Sequence, residues 1–195
     1  MTLEAKEYQE NILSEFLDNH EEDFEDIQTS KDLVKKYPKM ATNIFAMCLY
    51  NCGYSMKDSD VKYFVDNGAI LDTNEYKSDA GGTTALGHVC EYRHYHLIKQ
   101  LVELGADPNL EDAYGFTPLE SAIIGHSASD SLCDAEKCVK ILIECGAKNE
   151  LQKMLFEENF TKPRYKMDEP SKYLIDFLNN VSYRDTKKRE DTVFT

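Results

Sequence analysis

The chain has 195 residues, 30% of them charged, and a formal net charge of −14 at pH 7. This length suffices for one sizeable hydrophobic core, so a single domain is expected. The acidity disfavours a general grip on nucleic acid phosphates, and no apolar run approaches the roughly 20 residues of a membrane span.

Acidic residues are concentrated at the N-terminus. Residues 1–30 contain ten Asp or Glu and one Lys, a net charge of −9, which leaves −5 for the other 165 residues. Two interpretations stay open, a contact with a basic partner or a solvated helix face that keeps the protein soluble. A secretory signal would begin basic and continue apolar, so we expect a cytoplasmic protein.

The N-terminal segment predicts two helices. Apolar residues recur at helical spacing over Leu3–Asp18, with acids between them. A second, short helix is expected from Ser30, as N-cap, to about Tyr37, where Pro38 stops it. A further helix is expected over Thr42–Cys52.

The next segments share a repeated pattern. An outer apolar stripe in Val61–Ala69 ends in Gly-Ala, and similar stripes occupy Leu97–Asn109 and Cys138–Ala147. Helix starts of the form G-x-T-x-L begin at Gly82 and Gly115, 33 residues apart. In these starts a Thr is expected to cap the helix, Pro118 to fit its first turn, and Gly105 to end the outer helix in a left-handed conformation.

A period of 33 with a G-x-T-P-L start and an L-x-x-G-A-D-x-N finish resembles the ankyrin repeat. The resemblance implies an all-α solenoid of helix-turn-helix repeats with β-hairpin loops and helical caps at both ends. The expected boundaries are an acidic helical cap (1–41), a degenerate repeat (42–81), a clear repeat (82–114), a clear repeat with an insertion (115–149), a helical C-terminal cap with helices near 150–158 and 170–181 (150–182) and a flexible tail (183–195).

Two departures from regular spacing are expected to lie in loops. Gly115 and Gly146 are 31 residues apart, whereas Gly82 and Gly105 are 23 apart, so eight residues are inserted somewhere in Ser127–Glu136. A smaller surplus is expected in the hairpin at Tyr76–Gly81. Such insertions either provide specificity or are neutral, since long loops cost little free energy.

Ankyrin-type proteins usually bind partners through hairpin tips and the concave face of the shorter helices. Carried over to this chain, the resemblance implies tip contacts by Glu111, Asp112 and Tyr114, and loop contacts by Asp130 and Asp134. On the concave face it implies contacts by His88, Glu91, Tyr92, Ser121 and Ile124. The alternative for the tyrosines is that they merely cover neighbouring side chains.

Catalytic and metal chemistry find little support in the sequence. The cluster from His88 to His96, with Cys90, lacks the spacing of four zinc ligands, and no motif supplies a base for cysteine catalysis. The six cysteines fall mostly on packed helix faces and are expected to be free thiols in a reducing compartment. We therefore expect neither a cofactor nor enzymatic activity.

The function predicted from these patterns is protein–protein recognition by a monomer. An acidic ankyrin protein suits an inhibitor or adaptor that masks a basic surface, such as the nucleic-acid-binding face of a nuclease. Three alternatives remain, namely a host-directed effector of a bacterium or virus, acting in the host cytoplasm, a metalloprotein using His88–His96, and a self-assembling structural protein.

Overall fold

The computed structural model describes residues 15–16, 19–74, 76–78, 81–124 and 132–148. In these ranges the chain is mainly helical, with short 3₁₀ turns at Glu21–Glu25 and Pro38–Met40. The remaining elements, in chain order, are α1 (Ile27–Lys36), α2 (Ala41–Cys52), α3 (Asp58–Asp66), β1 (Tyr76–Ser78), β2 (Gly81–Thr83), α4 (Ala85–Glu91), α5 (Tyr95–Glu103), α6 (Pro118–Ile124) and α7 (Leu132–Glu144).

The helices stack in two layers. Helices α2, α4 and α6 pack side by side in an inner layer, and α3, α5 and α7 pack side by side in an outer layer. Apolar side chains fill the space between the layers, as where the rings of Phe45 and Phe64 stack with centroids 5.0 Å apart. Each helix pair therefore buries its apolar stripe against its neighbours, and the predicted all-α repeat solenoid is confirmed.

The predicted helix starts are confirmed in the second and third pairs. The Oγ1 atom of Thr84 accepts a hydrogen bond from the Gly87 amide at 3.0 Å. The Thr117 amide donates to the Glu120 carboxylate at 2.7 Å, while the Thr117 hydroxyl accepts from the Glu120 amide at 3.3 Å. This reciprocal pair is a capping box, and Pro118 occupies the first turn, where a missing N–H has no cost.

Each outer helix ends in the same way. Gly68, Gly105 and Gly146 have φ values of 99°, 106° and 94°. The alanine after each glycine donates its amide to the carbonyl five residues earlier, at 2.9–3.0 Å in the three copies. This is the Schellman motif, in which glycine enters the left-handed region at little cost.

The helix before the first pair begins earlier than the sequence indicates. Helix α1 starts at Ile27, because the Asp26 carboxylate caps it by accepting from the Thr29 amide at 2.7 Å. Ser30 lies inside the helix, is buried and donates to the Asp23 carbonyl, so its assignment as N-cap is wrong. Helix α1 packs on both α2 and α3, in the place of a preceding repeat.

The two spacing departures have different outcomes. Strands β1 and β2 pair antiparallel, with Tyr76 opposite Thr83, at the expected hairpin surplus. The prediction of a loop reaching Glu136 is wrong, because α7 begins at Leu132 and uses five of those residues to lengthen the outer helix. The rest of the insertion, at 127–131, lies outside the described residues, as do the helix predicted over Leu3–Asp18 apart from residues 15–16, both C-terminal helices and the tail.

The described part of the chain contains no helix long and apolar enough to cross a membrane. The cysteines are free thiols; Cys48, Cys52, Cys90 and Cys138 are buried. This agrees with their expected placement on packed helix faces. The predicted domain boundaries stay a prediction, since the caps at both ends lie largely outside the described ranges.

Candidate functional site

The surface of the inner layer that faces away from α3, α5 and α7 is here called the inner face. It includes the partly exposed side chains of Tyr50, Tyr54, Glu91, Tyr92, Ser121 and Ile124. Helices α4 and α6 approach closely beneath it: a Cβ atom on Gly87 would lie 2.5 Å from the Thr83 Oγ1 atom and 3.9 Å from the Ser121 Oγ atom. Only glycine at this position permits that approach.

Aromatic side chains link the first two inner helices. The rings of Tyr50 and Tyr92 meet edge to face, with centroids 5.4 Å apart and an interplanar angle of 84°. Tyr50 is 39% exposed, and Tyr54, one turn further along, is 86% exposed. Gly53 keeps a helical backbone, so Tyr54 continues the side of α2 that carries Tyr50. Tyr50, Tyr54 and Tyr92 are hereafter called the aromatic patch.

The expectation that His88 is exposed on this face is wrong. Tyr50 and Tyr92 cover its ring, with centroids 6.1 Å and 4.6 Å away, and leave it 1% exposed. Neither ring nitrogen has a hydrogen-bond partner. Burial lowers the pKa of His88 to about 3, so the imidazole is neutral at physiological pH. It supports the two tyrosines from below and offers no contact to a partner.

The hairpin after α5, here called the finger, comprises residues 110–116. The Asp112 Oδ1 atom accepts from the amides of Tyr114 and Phe116 at 2.8 Å and 2.9 Å, and the Asp112 amide donates to the Phe116 carbonyl. Asp112 therefore closes the turn, and is only partly exposed. Glu111 and Tyr114 are exposed at the tip, as expected, with Tyr114 51% exposed.

Three carboxylates meet between the finger and α6. Burial raises the pKa of Glu120 above its usual value, and the charges of Glu111 and Asp112 add to the shift. Burial likewise raises the pKa of Asp112, with a further contribution from Glu111. These shifts mean that Glu111, Asp112 and Glu120, the acidic cluster, feel one another's charge and concentrate negative potential beside the inner face.

Asp134 lies away from the inner face. It sits near the start of α7 in the outer layer, where its carboxylate pairs with the Lys137 Nζ atom at 2.8 Å. Lys137 in turn lies 4.3 Å from the centre of the Tyr95 ring. A structural role is therefore evident for Asp134, whereas Asp130 lies outside the described residues. A binding role for any of the predicted contact residues stays a prediction.

Sequence reasoning missed Tyr50, Tyr54 and Glu120. A signal was present for each: Met47, Tyr50 and Tyr54 follow one another at spacings of three and four on a predicted helix, and T-x-x-E marks a capping box. The metal alternative gains no ligand set, because no group of three or more His, Cys, Asp or Glu in the described ranges is placed to hold a metal ion.

Comparison with known proteins gives one match. A family model described as ankyrin repeats, in three copies, covers residues 49–153, which is more than half of the chain. The matched region includes all three helix pairs from the end of α2 onward. No curated protein matches the chain.

Proposed function

This chain belongs to the ankyrin-repeat family, and we propose that it is an inhibitor or adaptor that masks a basic surface of a partner protein. Ankyrin repeats are typically non-catalytic modules for protein–protein interaction. The observation that carries the finer proposal is the acidic cluster of Glu111, Asp112 and Glu120, held beside an exposed finger tip and the inner face.

The electrostatics of the chain support a basic partner. The net charge of −14 raises the rate at which a positively charged protein encounters this one, and repels other acidic proteins. Within the acidic cluster, burial and mutual repulsion make the charged carboxylates of Asp112 and Glu120 costly. A partner's Lys or Arg placed there would relieve that repulsion, which contributes to affinity.

The finger is organised before a partner arrives. Its turn is closed by Asp112, and the Ala113 amide donates to the Gly82 carbonyl of the preceding hairpin at 3.0 Å. The exposed ring of Tyr114 is thus presented on a backbone that is already ordered. Ordering lost before binding does not oppose binding, and Tyr is a frequent interface anchor.

We further propose that the protein acts as a monomer in a reducing compartment, the cytoplasm of its own cell or of a host. Its free, mostly buried cysteines support this, because persistent disulfides are typical of oxidising compartments. Light scattering of the purified protein tests the monomer, and a self-associated species would favour the structural alternative.

The test is affinity purification from lysate of the source organism, followed by binding assays with the captured partner. A variant carrying Glu111→Gln and Tyr114→Ala changes the tip and leaves Asp112, which closes the turn, intact. The control is Glu103→Gln, which removes the same charge from an exposed position on α5 in the outer layer.

We expect the tip variant to bind at least tenfold more weakly than the control, and affinity to fall as salt rises from low to physiological strength. Equal binding by both variants would move the contact away from the finger. Salt-independent affinity would contradict the basic partner while leaving the recognition role in place.

A further inference from the structure

We propose that the aromatic patch is the subsite for an arginine side chain of the partner protein. The inference rests on the proposed recognition function and specifies one contact within it. The patch lies on the first two inner helices, whereas the acidic cluster lies on the finger and α6, so the two surfaces are separate targets for mutation.

The patch presents aromatic surface that its own fold does not use. Tyr54 is 86% exposed and Tyr50 is 39% exposed, although both stand on a well-packed inner helix. The edge-to-face contact of Tyr50 with Tyr92 holds two rings nearly at right angles. The face of an aromatic ring attracts a cation placed within about 6 Å of its centre, and a planar guanidinium can also stack on that face.

The position of the patch adds negative potential. It lies at the C-terminal end of α2, where the helix dipole favours a positive charge, and the last turn of α2 contains no basic residue to supply one. Gly53 follows directly, so the dipole end is not shielded by a side chain at that position.

An acidic turn borders the same helix end. The 3₁₀ turn Glu21–Glu25 packs against α2, and the Cys52 Sγ atom lies 3.4 Å from the Phe24 carbonyl as its donor. Burial, followed by the charges of Asp26 and Glu25, raises the pKa of the Cys52 thiol. The carboxylates of this turn therefore act at the end of the helix that carries Tyr50 and Tyr54.

Positive groups near the patch are neutralised or engaged. His88 beneath Tyr50 and Tyr92 is neutral, because burial disfavours its charged form. Arg93, which follows Tyr92, donates from its guanidinium to the Ala122 carbonyl of α6. Exposed rings, a helix C-terminus and acidic neighbours together match a planar cation better than an apolar side chain or an anion.

The test uses a defined probe, the peptide acetyl-(Gly-Ser-Arg)₄-amide, and its citrulline counterpart, in which each guanidinium is replaced by a neutral group of similar shape. Binding is followed by NMR on the full chain with ¹³C-labelled tyrosine and assigned ring signals. We expect saturable shifts of the Tyr50, Tyr54 and Tyr92 rings with the arginine peptide, and much smaller shifts with the citrulline peptide.

Variants separate the ring from the hydroxyl. Tyr54→Leu is expected to weaken the arginine peptide about threefold to tenfold, whereas Tyr54→Phe, which keeps the ring, stays within about twofold of the parent. Tyr54 is so exposed that neither change should alter folding, which an unchanged circular dichroism spectrum and melting temperature would verify.

The inference is overturned if the citrulline peptide binds equally, if Tyr54→Leu and Tyr50→Leu both bind like the parent, or if no tyrosine of the patch shifts. Shifts confined to Tyr114 would place the cation at the finger, which rejects the aromatic subsite and leaves the proposed function standing. Loss of the captured partner with finger variants alone would have the same meaning.

Discussion

The Lys31 ammonium of α1 lies 2.5 Å from the Asp60 carboxylate of α3 and ties the N-terminal helix to the first outer helix. Both side chains are largely shielded, with 17% and 13% of their surface exposed. Asp60 also accepts from the Lys57 amide at 2.8 Å, so one carboxylate both caps α3 and anchors α1. Opposing its burial, the hydrogen bonds from Lys31 and Lys57 lower the pKa of Asp60.

Replacing Asp60 by Asn is expected to lower the free energy of unfolding by about 1–3 kcal/mol, because the shielded ammonium of Lys31 loses its partner. Urea unfolding at pH 7 measures this change. The control is Asp66→Asn on the same helix, whose pair with Lys62 is more than half exposed and is worth at most about 1 kcal/mol. Similar losses in both variants would contradict the anchoring role of Asp60.

The pH dependence of Asp60 has a defined sign. Since its pKa is lowered in the folded state, its stabilising effect is present above the unfolded pKa, about 3.9, and is lost as pH falls through the folded value. The parent should therefore lose its advantage over Asp60→Asn below about pH 4. A constant difference between pH 7 and pH 3 would show that the ion pair contributes nothing.

Acidification should also act through two buried histidines. Burial lowers the pKa of His88 to about 3 and that of His94 to about 4. The unfolded chain takes up these protons near pH 6.5 while the folded state does not, so stability falls as pH drops from about 6.5 toward 4, by up to about 1.4 kcal/mol per pH unit for each histidine. His88→Leu should remove one share of that slope in urea unfolding, whereas His96→Leu, at an exposed position, serves as the control.

The two types of glycine should respond differently to alanine. Gly105→Ala places a side chain at φ 106°, where nothing lies within 4 Å, so the expected loss of about 1–2 kcal/mol is purely backbone strain. Gly87→Ala keeps helical backbone but drives a Cβ to 2.5 Å from Thr83 Oγ1, so its cost is steric. Combining Gly87→Ala with Thr83→Ala should recover part of the melting temperature, and Thr83→Ala should recover none for Gly105→Ala.

Glu120→Gln tests whether the acidic cluster serves binding at the expense of stability. Gln keeps an acceptor for the Thr117 amide and removes a charge that burial and Glu111 disfavour, so stability at pH 7 should stay equal or rise by up to about 1 kcal/mol. Affinity for a basic partner should fall. A variant that is less stable, or that binds as tightly as the parent, would contradict this interpretation.

Local chemistry made much of the fold predictable. The helix starts at Thr84 and Thr117 and the ends at Gly105 and Gly146 depend on hydrogen bonds that span three to five residues, so the residues that make them stand close together in the sequence. The start of α1 was missed because two caps, Asp26 and Ser30, compete within four residues. Only packing on the Asp23 carbonyl draws Ser30 inside the helix.

The sequence by itself therefore determined the repeat architecture, the helix pairs and their turns, through residue types whose preferences act locally. The tertiary structure decided which side chains face a partner. Tyr50 covers His88 from a neighbouring inner helix, and Glu120 meets Glu111 across the finger. Burial and electrostatic potential depend on every neighbour in space, and those neighbours come from segments that the chain brings together only when the layers stack.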